Sequence, residues 1–124
     1  MKDFIVSRIA SFGHAFRGWA YVIRNEKNAR IHAVATICVV IVATWLNIPL
    51  RDWAVLVLVV AMVWASEFLN TSIEAVVDLA SPTHHPLAKV GKDVGAAAVL
   101  IAAGASVVVG LLILGPPLWH KLFG

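Results

Sequence analysis

Glu67, Asn70, Glu74 and Asp78 recur along this chain at a spacing that puts three carboxylates and an amide on one line. At ~100° per residue they fall on nearly one face of a helix, with Phe68, Ile73, Val76 and Val77 on the other. The run follows directly on an apolar segment of membrane type. A charge at the centre of a bilayer costs ~2.5–3.5 kcal/mol on insertion scales, so such a line needs a compensating chemistry. Oxygen donors suit a divalent cation and a nucleotide phosphate. Magnesium commonly uses one or two protein carboxylates together with substrate phosphates, which makes Glu26 and Glu74 candidate ligands if folding joins their helices. Lys92 is suited to offset phosphate charge. Glu67 lies two turns deeper than Glu74, where a substrate hydroxyl would be presented, and is the candidate general base.

Each residue also has a plainer reading. Asp78 fits a solvated helix end. Glu26 could pair with Arg30 at i+4, a contact worth only ~0.3–0.5 kcal/mol. Asn70 could be packing glue between helices, and Lys92 could snorkel to headgroups. Glu67 and Glu74 fit a structural role poorly, because apolar turns flank them on both sides. His84-His85 sits in a proline-flanked turn without further ligands and reads as surface. Trp19, Trp45, Trp53 and Trp119 read as interfacial belt residues, and Trp64 as a deeper packing residue.

The elements that must position these groups follow from composition. The chain has 124 residues, 60% hydrophobic and 14% charged, with a mean hydropathy of +0.87. Three stretches have the length and apolarity of membrane spans, 31–48, 53–69 and 94–114, against a need of about 20 residues for a ~30 Å core. Residues 1–25 read as an amphipathic surface helix, with Phe4, Ile9, Phe12, Phe16 and Trp19 at helical spacing and basic residues between them. Pro49 breaks one connection, Pro82 and Pro86 the next, and Pro116-Pro117 is expected to end the third span. The expected fold is therefore all-α: a single membrane domain of three spans and an interfacial N-terminal helix.

Six of the ten Lys and Arg residues precede the first span. With Lys89 and Lys92 in the second connection, they put the N-terminus and that connection in the cytoplasm. Orientation thus accounts for the basic balance, and nucleic acid need not be invoked. The single Cys38 lies mid-span, which excludes a disulfide within the chain. The soluble phosphate-loop, protein-kinase and H-E-x-x-H signatures are all missing. An ion-coupled oligomeric transporter is the alternative of another class. Its site would sit near the bilayer midplane, whereas this acidic line starts at the inner end of a span and runs outward.

With these residues in view, the chain resembles the prokaryotic diacylglycerol kinase and undecaprenol kinase family, small trimeric membrane enzymes with three spans. The resemblance runs from about Arg8 to Leu114. It rests on Asn25-Glu26, on Glu67-x-x-Asn70-Thr71-x-Ile73-Glu74-x-Val76-Val77-Asp78, and on Ala88-x-x-x-Lys92-Asp93-x-Gly95-x-Ala97-Ala98-Val99-Leu100. It implies transfer of the ATP γ-phosphate to a lipid alcohol at the inner membrane face, and a homotrimer with sites shared between subunits. By the same resemblance Glu26 and Glu74 match the Mg²⁺ ligands and Glu67 the base. Asn70, Lys92 and Asp93 match nucleotide-site positions, and Arg8 corresponds to a further one across a one-residue gap. His32 stands where some relatives carry glutamate, so no catalytic role transfers to it. The form Glu26-Lys27-Asn28-x-Arg30-Ile31-His32, with His85-Pro86-Leu87-Ala88-Lys89, is more similar to the branch common in Gram-positive bacteria. That implies undecaprenol ahead of 1,2-diacylglycerol as acceptor.

Overall fold

Helical backbone starts at Lys2 and first breaks at Glu26, whose extended conformation (φ −99°, ψ 116°) separates α1 (Lys2–Asn25) from α2 (Lys27–Leu46). The computed structural model, which describes residues 1–124, continues with α3 (Leu50–Ala80) and α4 (Pro86–Phe123). Arg30 fixes the first corner. Its Nε donates to the Ile23 carbonyl at 3.0 Å and its Nη2 to the Arg24 carbonyl at 2.5 Å. Both carbonyls lie in the last turn of α1, where helical donors have run out. The Glu26–Arg30 ion pair that the spacing permits does not form, and Glu26 has no cationic partner.

Helices α2, α3 and α4 are each long and apolar enough to cross a membrane, and the all-α architecture with an N-terminal helix is the expected one. The helix carrying the first span stops at Leu46, two residues before the expected end of that span at Ile48. There Asn47 turns left-handed (φ 52°, ψ 49°), a conformation that asparagine tolerates better than most residues. At the other connection, the His85 ring accepts from the Leu87 amide at 3.1 Å and Pro86 takes the first helical position. A proline there gives up only an amide that no helical carbonyl would have used.

The expectation that Pro116-Pro117 ends the last helix is wrong: α4 runs through both prolines to Phe123. The prolines remove two backbone donors, but Gly115 before them carries no Cβ for the ring to strike. Beyond them the tail is anchored. Lys121 donates Nζ to the Trp45 carbonyl at 2.8 Å and sits 4.5 Å above the Trp45 ring.

Only 14 of the 124 residues are buried, so most apolar side chains face outward, as lipid or neighbouring subunits require. The buried ones form two small clusters. Val22, Ala29 and Trp64 tie α1 and α2 to α3, and Ala43, Ile48 and Leu56 close the opposite end. Trp19 is more than a belt residue, since it packs on Trp64 and Phe68 with centroids at 4.8 and 4.5 Å. The main helix–helix interface is between α3 and α4. At ~1.5 Å per residue, the 31 and 38 residues of α3 and α4 span roughly 46 and 57 Å. Both are longer than the hydrocarbon core is thick.

Gly95 marks the closest approach of these two helices, because a Cβ there would collide with the Asn70 side-chain oxygen. Gly91, one turn earlier, would place a Cβ at an ordinary 3.7 Å from Val77. Alanine gains up to about 1 kcal/mol of helix propensity over glycine, whereas overpacking costs ~1–3 kcal/mol. Gly95→Ala should therefore lower the thermal midpoint in detergent, and Gly91→Ala should hold or raise it. Equal stabilisation by both would refute the close packing of Asn70 against α4.

Candidate active site

Helical spacing on α3 points Glu67, Asn70 and Glu74 into one cleft of about 450 Å³. The α1–α2 joint contributes Glu26 and the first turns of α2 contribute Asn28 and His32, while Ala96, Val99 and Ala103 of α4 form an apolar wall. Glu26 reaches the cleft because the corner pinned by Arg30 presents it there, free of any ion pair. Asn70 donates Nδ2 to Glu74 Oε1 at 3.3 Å. Glu67 is the deepest group, 1% exposed, and is the largest fully buried side chain in the protein.

The electrostatic character of the cleft is unusual. Three carboxylates line it and neither lysine nor arginine does. Four buried polar atoms of the protein lack a hydrogen-bond partner: His32 Nε2, Glu67 Oε2, Asn70 Oδ1 and Thr71 Oγ1. Leaving a buried donor or acceptor unsatisfied costs about 1–3 kcal/mol, and native folds leave few. Three of the four belong to residues of this one cleft. The arrangement is that of a ligand site, with oxygen donors on one wall and apolar surface on the other.

The remaining candidates lie elsewhere. Lys92 and Asp93 line a separate polar cavity of about 290 Å³ at the α3–α4 turn, together with Asp78, Thr83, His85 and Lys89. There Lys92 pairs with Asp78 at 2.5 Å and Asp93 with Lys89 at 2.6 Å. The hydrogen bond that Lys92 donates to Asp78 is the main cause holding its ammonium above its ordinary pKa; desolvation opposes it. Asp78, the outermost member of the acidic line, thus serves the neighbouring cavity. Arg8 is exposed on α1, with its guanidinium 5.1 Å above the Phe4 ring, and touches neither cavity. Sequence reasoning gave no role to His32 and passed over Asn28. The available signal for His32 was its isolation as an ionisable side chain within an apolar span.

Comparison with known proteins identifies the family. The family described as Prokaryotic diacylglycerol kinase matches residues 13–114. The undecaprenol kinase of Bacillus subtilis (strain 168) is 41% identical over 108 residues, covering 87% of this chain and 88% of that protein. A diacylglycerol kinase of Synechocystis sp. is 41% identical over 111 residues, covering 89% of this chain and 63% of the relative. The diacylglycerol kinase of Escherichia coli (strain K12) is 35% identical over 106 residues, 86% of this chain and 87% of the relative. The chain belongs to the prokaryotic diacylglycerol kinase family of membrane lipid kinases.

Proposed function

We propose that this protein transfers the γ-phosphate of ATP to undecaprenol, giving undecaprenyl phosphate, at the cytoplasmic face of a bacterial membrane. The observation that carries the reading is the convergence of Glu26, Glu67, Asn70 and Glu74 on one cleft with an apolar wall. The polar side suits a metal–phosphate group and the apolar side a lipid. Residues 31–48, 53–69 and 94–114 cross the bilayer and the N-terminal helix lies in the interface. Arg17, Arg24, Lys27 and Arg30 before the first span favour a cytoplasmic N-terminus. The outward apolar faces and the small residues Ala102, Ser106 and Gly110 suit assembly, and we assign a homotrimer.

The donor set fits magnesium. Glu26 and Glu74 are carboxylates without ion-pair partners, and Asn70 offers an unsatisfied amide oxygen beside them. No group of three His, Cys, Asp or Glu side chains forms a complete cage, in keeping with an ion that shares its ligands with water and phosphate. Bound there, magnesium supplies neutralisation of charge on the ATP oxygens. Glu67 accepts the proton of the lipid hydroxyl. The hydroxyl oxygen bonds the γ-phosphorus, the bond from that phosphorus to the bridging oxygen breaks, and ADP leaves. Lys92 and Asp93 serve the nucleotide from the adjoining cavity, and Arg8, outside both cavities on the surface helix, is assigned to it on the family resemblance alone.

Diacylglycerol is the second reading for the acceptor, favoured by the names of the Synechocystis and Escherichia coli relatives. Undecaprenol is preferred because the Bacillus relative matches at 41% identity over 88% of its own length.

Labelled ATP offered in mixed micelles with undecaprenol or diacylglycerol separates the two readings. Preferential labelling of undecaprenol is expected, and preferential labelling of diacylglycerol reassigns the substrate. No labelled lipid from folded protein refutes the kinase reading. Glu74→Gln should raise the magnesium concentration for half-maximal rate by at least about tenfold, and an unchanged requirement removes Glu74 from the ligands. Glu67→Gln should lose ~10²–10⁴ in kcat with the KM for ATP unchanged. The reverse pattern makes it a nucleotide-binding residue.

A further inference from the structure

His32 stands between two spaces of different character. On one side it lines the acidic cleft with Glu67. On the other it heads a narrow apolar cavity of about 70 Å³ running along α2 and α3 past Thr36, Val39, Leu56 and Val63. The imidazole is the one side chain lining the cleft that can carry positive charge.

Its position is held from several directions. Trp64 meets the ring edge-on, with centroids 6.3 Å apart and planes at 71°. Thr36 Oγ1 donates to the His32 carbonyl at 2.7 Å and accepts from Trp64 Nε1 at 3.2 Å. Thus α2 and α3 are locked in register one turn from the ring. So held, His32 Nε2 faces Glu67 Oε2 at 3.5 Å, and neither atom has another partner. An imidazole protonated at Nε2 is a donor and a carboxylate is an acceptor. A closure of roughly half an ångström brings them to ordinary hydrogen-bond distance.

We propose that His32 is a positioning residue for phosphoryl transfer, anchoring Glu67 Oε2 so that Oε1 is left to take the proton of the lipid hydroxyl. The assignment rests on the lipid-kinase reading. A carboxylate on three rotatable bonds, repelled by Glu26 and Glu74, needs such an anchor to hold one oxygen on the substrate. His32 holds it from the side of the narrow apolar cavity, away from Glu26 and Glu74.

A double-mutant cycle on the full-length protein in mixed micelles tests this, with lipid phosphorylation, KM for ATP and thermal unfolding measured for each variant. His32→Leu should lower kcat by about 10²-fold, the scale of a small misplacement of a reacting group, with the KM for ATP within about twofold. His32→Gln, which keeps a side-chain N–H donor, should recover most of that loss. In the Glu67→Gln background His32→Leu should cost nothing further, because a residue acting through Glu67 has nothing left to position. An equal loss in both backgrounds makes the effect a packing defect and overturns the assignment, as does full activity of His32→Leu. Wild-type protein inert towards both lipids overturns the kinase reading and this assignment with it, whereas an active wild type with a silent His32 overturns the assignment alone.

Discussion

Burial of the Glu67 carboxylate is the constraint on which the rest of the structure depends. An ionisable group removed from water is tolerated only with partners or a ligand of its own. The protein gives Glu67 an imidazole at 3.5 Å and no cation of fixed charge. It surrounds the carboxylate with orphaned polar atoms on α2 and α3. A fold selected for stability alone would replace such a group with an apolar side chain of similar volume. Its retention inside a helix otherwise packed by Val59, Val63 and Trp64 is what makes the cleft a site.

Supporting that carboxylate takes elements of unequal length. Helix α2 ends at Leu46, little longer than a bilayer requires, while α3 and α4 overshoot it. The overshoot lets one continuous helix carry Glu67, Glu74 and Asp78 at successive levels along its length. A lipid alcohol and a nucleotide can then meet on one rigid rod. The surface helix closes the arrangement from the side, with Trp19 packed on Trp64 and Phe68. Trp64 in turn bonds Thr36, so the packing that seats α1 also holds the wall of the site.

Much of this was legible in the residues. Period and hydropathy gave the helices, and the 67–70–74 spacing gave one wall of the cleft, because both depend on local geometry alone. What failed to show depended on contacts distant in sequence. Nothing local says that Arg30 bonds the carbonyls of α1 rather than Glu26. The prolines at 116 and 117 read as a stop because the anchor of Lys121 on Trp45, 76 residues away, is invisible to a local reading. Lys92 and Asp93 meet the acidic line only at its outer end, Asp78, in a cavity that the packing of α4 on α3 sets apart from Glu67 and Glu74. The departure from the family's glutamate transfers no role to His32, and its partner Glu67, 35 positions along the chain, is invisible to a local reading.

The separation of charges between the two cavities constrains how ATP can bind. The cleft holds Glu26, Glu67 and Glu74 without a lysine or arginine, so a bare polyphosphate would meet like charge at every approach. The lysines sit in the adjoining cavity, each already matched to a carboxylate of its own. A divalent cation held by Glu26 and Glu74 would relieve the conflict, since it would cancel the charge of those two carboxylates and offer the γ-phosphate a cation to meet. The lysines, being locally neutralised, contribute donors and geometry more than net attraction. Under the proposed reading the nucleotide would span both cavities, its terminal phosphate at the acidic cleft beside Glu67 and the rest towards the α3–α4 turn.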